Sequence, residues 1–266
     1  MKVGCCLNMI ASTSDGIGLE HIHYLKKLGY DYAELPLAQI MALPEDEFRH
    51  LLVTVEEAGI PCEACNNFFP SELRLTGKDV DSDKIDDYVG KALERARKLG
   101  TKIVVFGSGK AKNIPEEFPL NEGYTQIVEL LRRIAPIARE KNIVIVIEPL
   151  RKEECNLINT FKEGCQLADC IETEEIRVLV DFYHLTQEGE SIEYLKEHGV
   201  DYLRHVHFAN PQGRVYPTTI DEADYGPFIE ALKAIQYDAR ISCEAYSKDF
   251  LLDGSNALCF LKQNLL

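Results

Sequence analysis

Four segments in the second half of the chain place an acid or an imidazole at the end of a short apolar run. IVIVIEPL (143–150) leads into Glu148, and RVLVDFYH (177–184) carries Asp181 after its aliphatic residues. LRHVHFAN (203–210) carries His205 and His207, and ISCEAY (241–246) carries Glu244. A carboxylate at the edge of an apolar core is costly unless a partner neutralises it. Pro149, with no N–H to offer a ladder, stops the first run directly after its glutamate. Taken singly, each residue has an ordinary use. An acid at a strand end caps the next helix or pairs with a surface cation, and a strand histidine makes a core hydrogen bond. Taken together on successive strands, two or three carboxylates facing one another would repel. A divalent cation resolves that conflict, and Glu, Asp, His and Glu make a site suited to Mn²⁺, Mg²⁺ or Co²⁺. His205 and His207 point to the same face of their strand, so one of them is expected to orient the other.

The elements that must bring these residues together follow from the hydrophobic pattern. Short apolar runs at 3–8, 32–36, 61–68, 102–108, 143–149, 177–184, 203–210 and 239–246 alternate with longer segments of three- and four-residue period. Helices are predicted over 19–29, 44–59, 84–100, 124–142 and 223–237, several ending in Gly or Asn where a C-cap belongs. Pro136 predicts a kink in the fourth of these. Strict alternation implies a parallel sheet, and eight repeats without a linker predict one closed (β/α)₈ barrel domain spanning 1–266. Chemistry in such a barrel sits at the C-terminal ends of the strands, where the four segments end.

Composition narrows the partners. A net charge of −15 argues against nucleic acid, which is held by Lys and Arg. No apolar run approaches the ~20 residues that span a bilayer. The start MKVGCCLNMI lacks a signal-peptide core, and nine scattered cysteines read as the reduced thiols of a cytoplasmic protein. Cys62 and Cys65 form a C-x-x-C, but residues three apart on a strand face opposite ways, so the pair is not expected to share a metal. Gly107, Gly109 and Lys110 in FGSGKAKNIPEEFP offer an anion cradle or a glycine turn; the turn is the simpler reading, because a phosphate loop needs GxxxxGK[ST]. His21, His23, His50 and His198 fall on helices and are expected to face solvent.

IEPL with the downstream NLINT (156–160), VDFYH, HVHF followed by Arg214, and CEAY resemble the sugar phosphate isomerase/epimerase superfamily of xylose isomerase-like TIM barrels. Within it the pattern is most similar to ketose 3-epimerases of the D-tagatose 3-epimerase type. The likeness covers the whole chain in its eight-strand layout and is specific in the second half. It implies one divalent ion, Mn²⁺ first, on Glu148, Asp181, His207 and Glu244, with His205 behind the ligand histidine. It further implies that Glu148 and Glu244 double as acid and base, and that His184, Arg214 and Glu154 contact substrate; Asn67, at the end of strand 3, is a further expected substrate contact. The implied reaction removes a proton beside the carbonyl of a keto sugar through a metal-stabilised cis-enediolate. Return of the proton to the same carbon gives epimerisation, and return to its neighbour gives isomerisation.

Other outcomes stay open on these residues: a dehydratase or lyase acting on a keto-inositol or 3-keto sugar, a hydroxypyruvate isomerase, or a barrel that binds without catalysis. A repair nuclease resembling endonuclease IV would need further histidines after strands 3 and 4, where CNNFFP and FGSGK have none. The expected partner is therefore a small sugar, not nucleic acid or a membrane, and related barrels imply a homo-oligomer, dimer or tetramer. The first half departs from the epimerase pattern, offering Asn8, Glu34, Asn66, Asn67 and Phe68 at its strand ends.

Overall fold

The computed structural model describes residues 1–265. The eight apolar runs form β1 (Lys2–Cys6), β2 (Tyr32–Pro36), β3 (Cys62–Asn66), β4 (Ile103–Phe106), β5 (Val144–Ile147), β6 (Ile176–Asp181), β7 (Leu203–Phe208) and β8 (Arg240–Cys243). All neighbours are parallel and follow chain order, and β1 pairs with β8, so the expected barrel closes. The runs are continuous rather than alternating because a barrel strand is buried on both faces. Tyr32, Ala64, Ile103, Val105, Val146 and Leu179 fill the interior, and the outward residues join a larger core beneath the helices. Gly4 is glycine because a Cβ there would collide with the Tyr32 ring.

The periodic segments supply the outer layer, including helices Ile22–Leu28, Glu45–Ala58, Ser82–Leu99, Leu120–Lys141 and Gly226–Ala234. The first four end on Gly29, Gly59, Gly100 and Asn142 in left-handed conformation, as the C-cap pattern predicts. Pro136 lies inside Leu120–Lys141, which continues on both sides of it. After β5, Thr160 and Glu163 form a reciprocal capping box that starts helix Phe161–Ile171. No helix among the described residues is long and apolar enough to cross a membrane.

Two expectations are corrected. The β2–β3 register passes from Ala33 opposite Cys62 to Glu34 opposite Ala64, so Glu63 is an extra residue on β3. This bulge resets the alternation. Cys62 and Cys65 consequently lie on the same side, their Sγ atoms 3.9 Å apart and both buried. Glu63 itself pairs with Lys2 and Arg240 across the β1–β8 seam. His21 is not solvent-facing: its ring is half-buried, edge-on to Phe250 at 5.8 Å.

Candidate active site

Inward-facing positions at the C-terminal ends of β5 to β8 deliver Glu148, Asp181, His207 and Glu244 to one place. Each offers a ligand atom, and those four atoms lie within 4.8 Å of one another. His207 is fully buried, while Glu148, Asp181 and Glu244 retain 6%, 2% and 7% exposure, so bulk water does not screen them. His207 Nδ1 stands 3.1 Å from Glu148 Oε1 and 3.1 Å from Glu244 Oε2.

Asp181 serves two purposes with its two oxygens. Oδ1 accepts the Tyr183 N–H at 2.8 Å and caps helix Phe182–Gln187, a bond worth ~1 kcal/mol, while Oδ2 faces the cluster. The plain capping use and the site use are both realised in one residue. Glu148 is held from behind. Its backbone carbonyl accepts the Lys112 ammonium at 3.0 Å, a lysine wholly buried against the Phe106 ring. Burial lowers the Lys112 pKa. Its carboxylate rests on Gly107, where a Cβ would collide with Oε2. That contact, rather than an anion cradle, accounts for Gly107. Replacing Gly107 by alanine is therefore expected to displace the Glu148 carboxylate and weaken divalent-ion binding at least about tenfold. Circular dichroism would check that the barrel persists, and a Mn²⁺ titration unchanged from wild type would refute the expectation.

Charge balance in the cluster comes from Arg214. Its Nη2 lies 3.0 Å from Asp181 Oδ2 and pairs with Glu244 as well. The loop carrying it is pinned by Asn210 N–H to Val215 O and Tyr246 N–H to Arg214 O, both 2.8 Å, and Arg214 takes a positive φ of 52°. Its guanidinium stacks 4.8 Å above the Tyr183 ring. Burial and the Glu244 charge push Glu148 above the usual carboxylate range, against the pull of His207. Burial acts on Glu244 too, but Arg214 and His207 outweigh it and hold that carboxyl low. The two glutamates are thus biased in opposite directions, the arrangement an acid/base pair uses.

The other residues singled out in the sequence divide. His184 reaches the cluster, with Nε2 3.5 Å from Asp181 Oδ2 and Nδ1 accepting the Arg151 N–H at 3.4 Å. Burial lowers its pKa and favours the neutral ring. Glu154 does not reach the cluster by hydrogen bond; it pairs with Arg151 at 2.7 Å. Asn67 lines a separate cleft of about 360 Å³ with Gln39, Phe69, Ser108 and Lys110, and none of the four cluster residues borders it. His205 hydrogen-bonds Glu34 Oε2 at 2.8 Å rather than His207.

Glu34 is the participant that the sequence offered at a strand end without a role. Fully buried, it accepts from His207 Nε2 at 2.9 Å and from Ser242 Oγ at 2.6 Å in addition to His205. The available signal was an acid inside the otherwise apolar YAELP. Asn66, at the end of β3, donates to Asn8 Oδ1 at 2.9 Å and keeps a buried Oδ1 with no partner.

A closed eight-stranded barrel with this rim defines the class, and the chain belongs to the xylose isomerase-like TIM barrel family, whose model matches residues 22–259. An L-ribulose 3-epimerase of Methylomonas sp. (strain DH-1) is 30% identical over 242 residues, covering 88% of this chain and 80% of the relative. A 3-dehydro-D-guloside 4-epimerase of Escherichia coli K12 is 23% identical over 240 residues, covering 85% and 86%. A crystal structure of D-psicose 3-epimerase in the presence of D-fructose superposes with a TM-score of 0.86 at 20% identity, covering 100% of this chain and 99% of that one.

Proposed function

We propose that this chain is a divalent-metal-dependent epimerase of a keto sugar, acting at the carbon beside the carbonyl. Its relatives are named sugar epimerases and isomerases, and the chain is an enzyme of that class. The observation that carries the finer reading is the donor set: one imidazole nitrogen and three buried carboxylates within 4.8 Å. Three such acids balanced by one guanidinium suit a divalent ion with oxygen and nitrogen ligands, Mn²⁺ above all.

When bound, such an ion supplies Lewis acidity, polarising the carbonyl and adjacent hydroxyl of an α-hydroxy ketone. The protein supplies the rest. Glu148 from β5 and Glu244 from β8 enter the site from different strands, so that one removes the proton beside the carbonyl and the other returns one to the opposite face. Arg214, steadied by Tyr183, and the neutral His184 donate to substrate oxygens around the reacting carbon. Near-complete burial excludes water, which would otherwise protonate the intermediate without stereochemical control.

The relative named as a 4-epimerase of a 3-dehydro-guloside supports a second reading in which the keto sugar is a glycoside and carbon 4 inverts. One experiment separates the two. The Mn²⁺-loaded protein is incubated in D₂O with ketohexoses, ketopentoses, 3-keto-glycosides and keto-inositol, and substrate protons are followed by NMR. Deuterium at carbon 3 of a ketose, with its epimer accumulating, is the expected result. Deuterium at carbon 4 of a 3-keto-glycoside establishes the second reading. Loss of water from the substrate establishes a lyase instead, and metal binding without exchange on any member refutes both epimerase readings.

A further inference from the structure

We propose that Glu34 is a positioning residue that prepares His207 for the metal by anchoring its ring through Nε2 so that Nδ1 faces the cluster. The inference rests on the metal-site reading above. A neutral imidazole holds one N–H and one lone pair, and only the lone pair can ligate a cation. Nδ1 of His207 faces Glu148 and Glu244 at 3.1 Å, so Nδ1 is the atom available to the ion. Nε2 lies on the far side of the ring, 2.9 Å from Glu34 Oε1. An ionised carboxylate accepts and never donates, so Glu34 holds the ring by an N–H at Nε2 and keeps Nδ1 turned toward Glu148 and Glu244. Without that acceptor the ring loses its anchor on the far side, and Nδ1 is free to turn away from Glu148 and Glu244.

Glu34 can hold this orientation because its own carboxylate is tied down. Its other oxygen accepts from His205 Nε2 at 2.8 Å and from Ser242 Oγ at 2.6 Å. Ser242, having spent its proton on Glu34, accepts the Tyr32 hydroxyl at 2.7 Å. Glu34, His205, His207, Ser242 and Tyr32 are all fully buried, so no water competes for these bonds. The chain of contacts crosses the barrel from β2 to β7 and β8, and His205 also packs edge-on against His207, with ring centroids 5.0 Å apart.

The same neighbourhood contains a rival. Cys6 Sγ lies 3.8 Å from His207 Nε2, and Cys6, Glu34 and His207 are grouped closely enough to hold an ion themselves. A cation there would use Nε2 and leave Glu34 a ligand rather than a positioning residue.

The test is calorimetric titration of the full metal-free chain with Mn²⁺, comparing wild type with Glu34→Gln, Ser242→Ala and Cys6→Ala. Glutamine keeps the shape but offers one acceptor oxygen and an NH₂, so it cannot accept from His205 and His207 together. Glu34→Gln is expected to bind Mn²⁺ about 10–100-fold more weakly, the range for partners that orient a metal-bound histidine. The metal-free melting temperature should stay within a few degrees, and the visible spectrum of the Co²⁺ form should change. Ser242→Ala, which removes a hydrogen bond to Glu34 and none to the His207 ring, should weaken binding about threefold or more and decides the question if Glu34→Gln does not fold. Tight Mn²⁺ binding by wild type with both variants within twofold of it overturns the inference. Two ions per chain, one of them lost in Cys6→Ala, overturns it in favour of the rival. Absence of Mn²⁺ binding by wild type removes the metal-site reading itself.

Discussion

Glu244→Gln is expected to lower epimerisation by roughly 10²–10⁴-fold, the range over which a positioned acid or base contributes. The glutamine has nearly the same shape and can still meet Arg214, so the loss would come from the missing proton acceptor and the weaker metal ligand. Saturating Mn²⁺ separates the two causes: affinity recovers with added ion, and turnover does not. Glu148→Gln should lose turnover to a similar extent but differ in what it leaves. On the proposed mechanism each glutamate serves one side of the substrate carbon, so each single variant should still wash the proton out of one epimer into D₂O while failing on the other. A variant at either position that epimerises within tenfold of wild type would remove that glutamate from the acid/base pair. Symmetric loss of exchange from both epimers would point to a single base instead.

Removing the divalent ion should abolish activity and also soften the fold. The site gathers three carboxylates around a buried imidazole, and among the described residues Arg214 is the one guanidinium paired with any of them, with Asp181 and Glu244. A ligand that binds only the native state at about 1,000 times its dissociation constant stabilises it by roughly 4 kcal/mol. For a chain of this size that corresponds to about 8–16 °C in melting temperature. A chelator should therefore lower the melting temperature by that order, and re-addition of Mn²⁺ should restore both the melt and turnover. Full activity after dialysis against chelator, with no ion remaining by elemental analysis, would rule out metal dependence.

The sequence was informative where chemistry follows directly on an apolar run. Glu148, Asp181, His207 and Glu244 each sit at the end of a strand whose boundaries are set locally by Pro149, by a helix start or by the next loop. Closure of the barrel then brought them together without further information. What stayed hidden depends on contacts made only after closure. Glu34 meets His205 and His207 across 171 and 173 residues, and nothing adjacent to YAELP announces either partner. Gly107 looked like part of a turn, but its lack of a side chain matters to the carboxylate of the neighbouring strand. The Cys62–Cys65 approach was missed because strict alternation was assumed on a strand that carries an extra residue. Glu154 was placed by the spacing of a family pattern, and its pairing with Arg151 was not legible from that spacing.

All four cluster residues come from the half of the barrel formed by β5 to β8, and the opposite wall meets them through Cys6 and Glu34 at His207 and through Gly107 and Lys112 at Glu148. The upper edge of that wall carries the amides of Asn8 and Asn66, neutral groups bonded to each other. The molecule therefore separates a fixed reaction engine from an editable cradle. Libraries restricted to the ends of β1 and β3 would vary what the mouth can grip while leaving its ionic machinery intact, which makes this barrel a natural starting scaffold for retargeting to unnatural sugars.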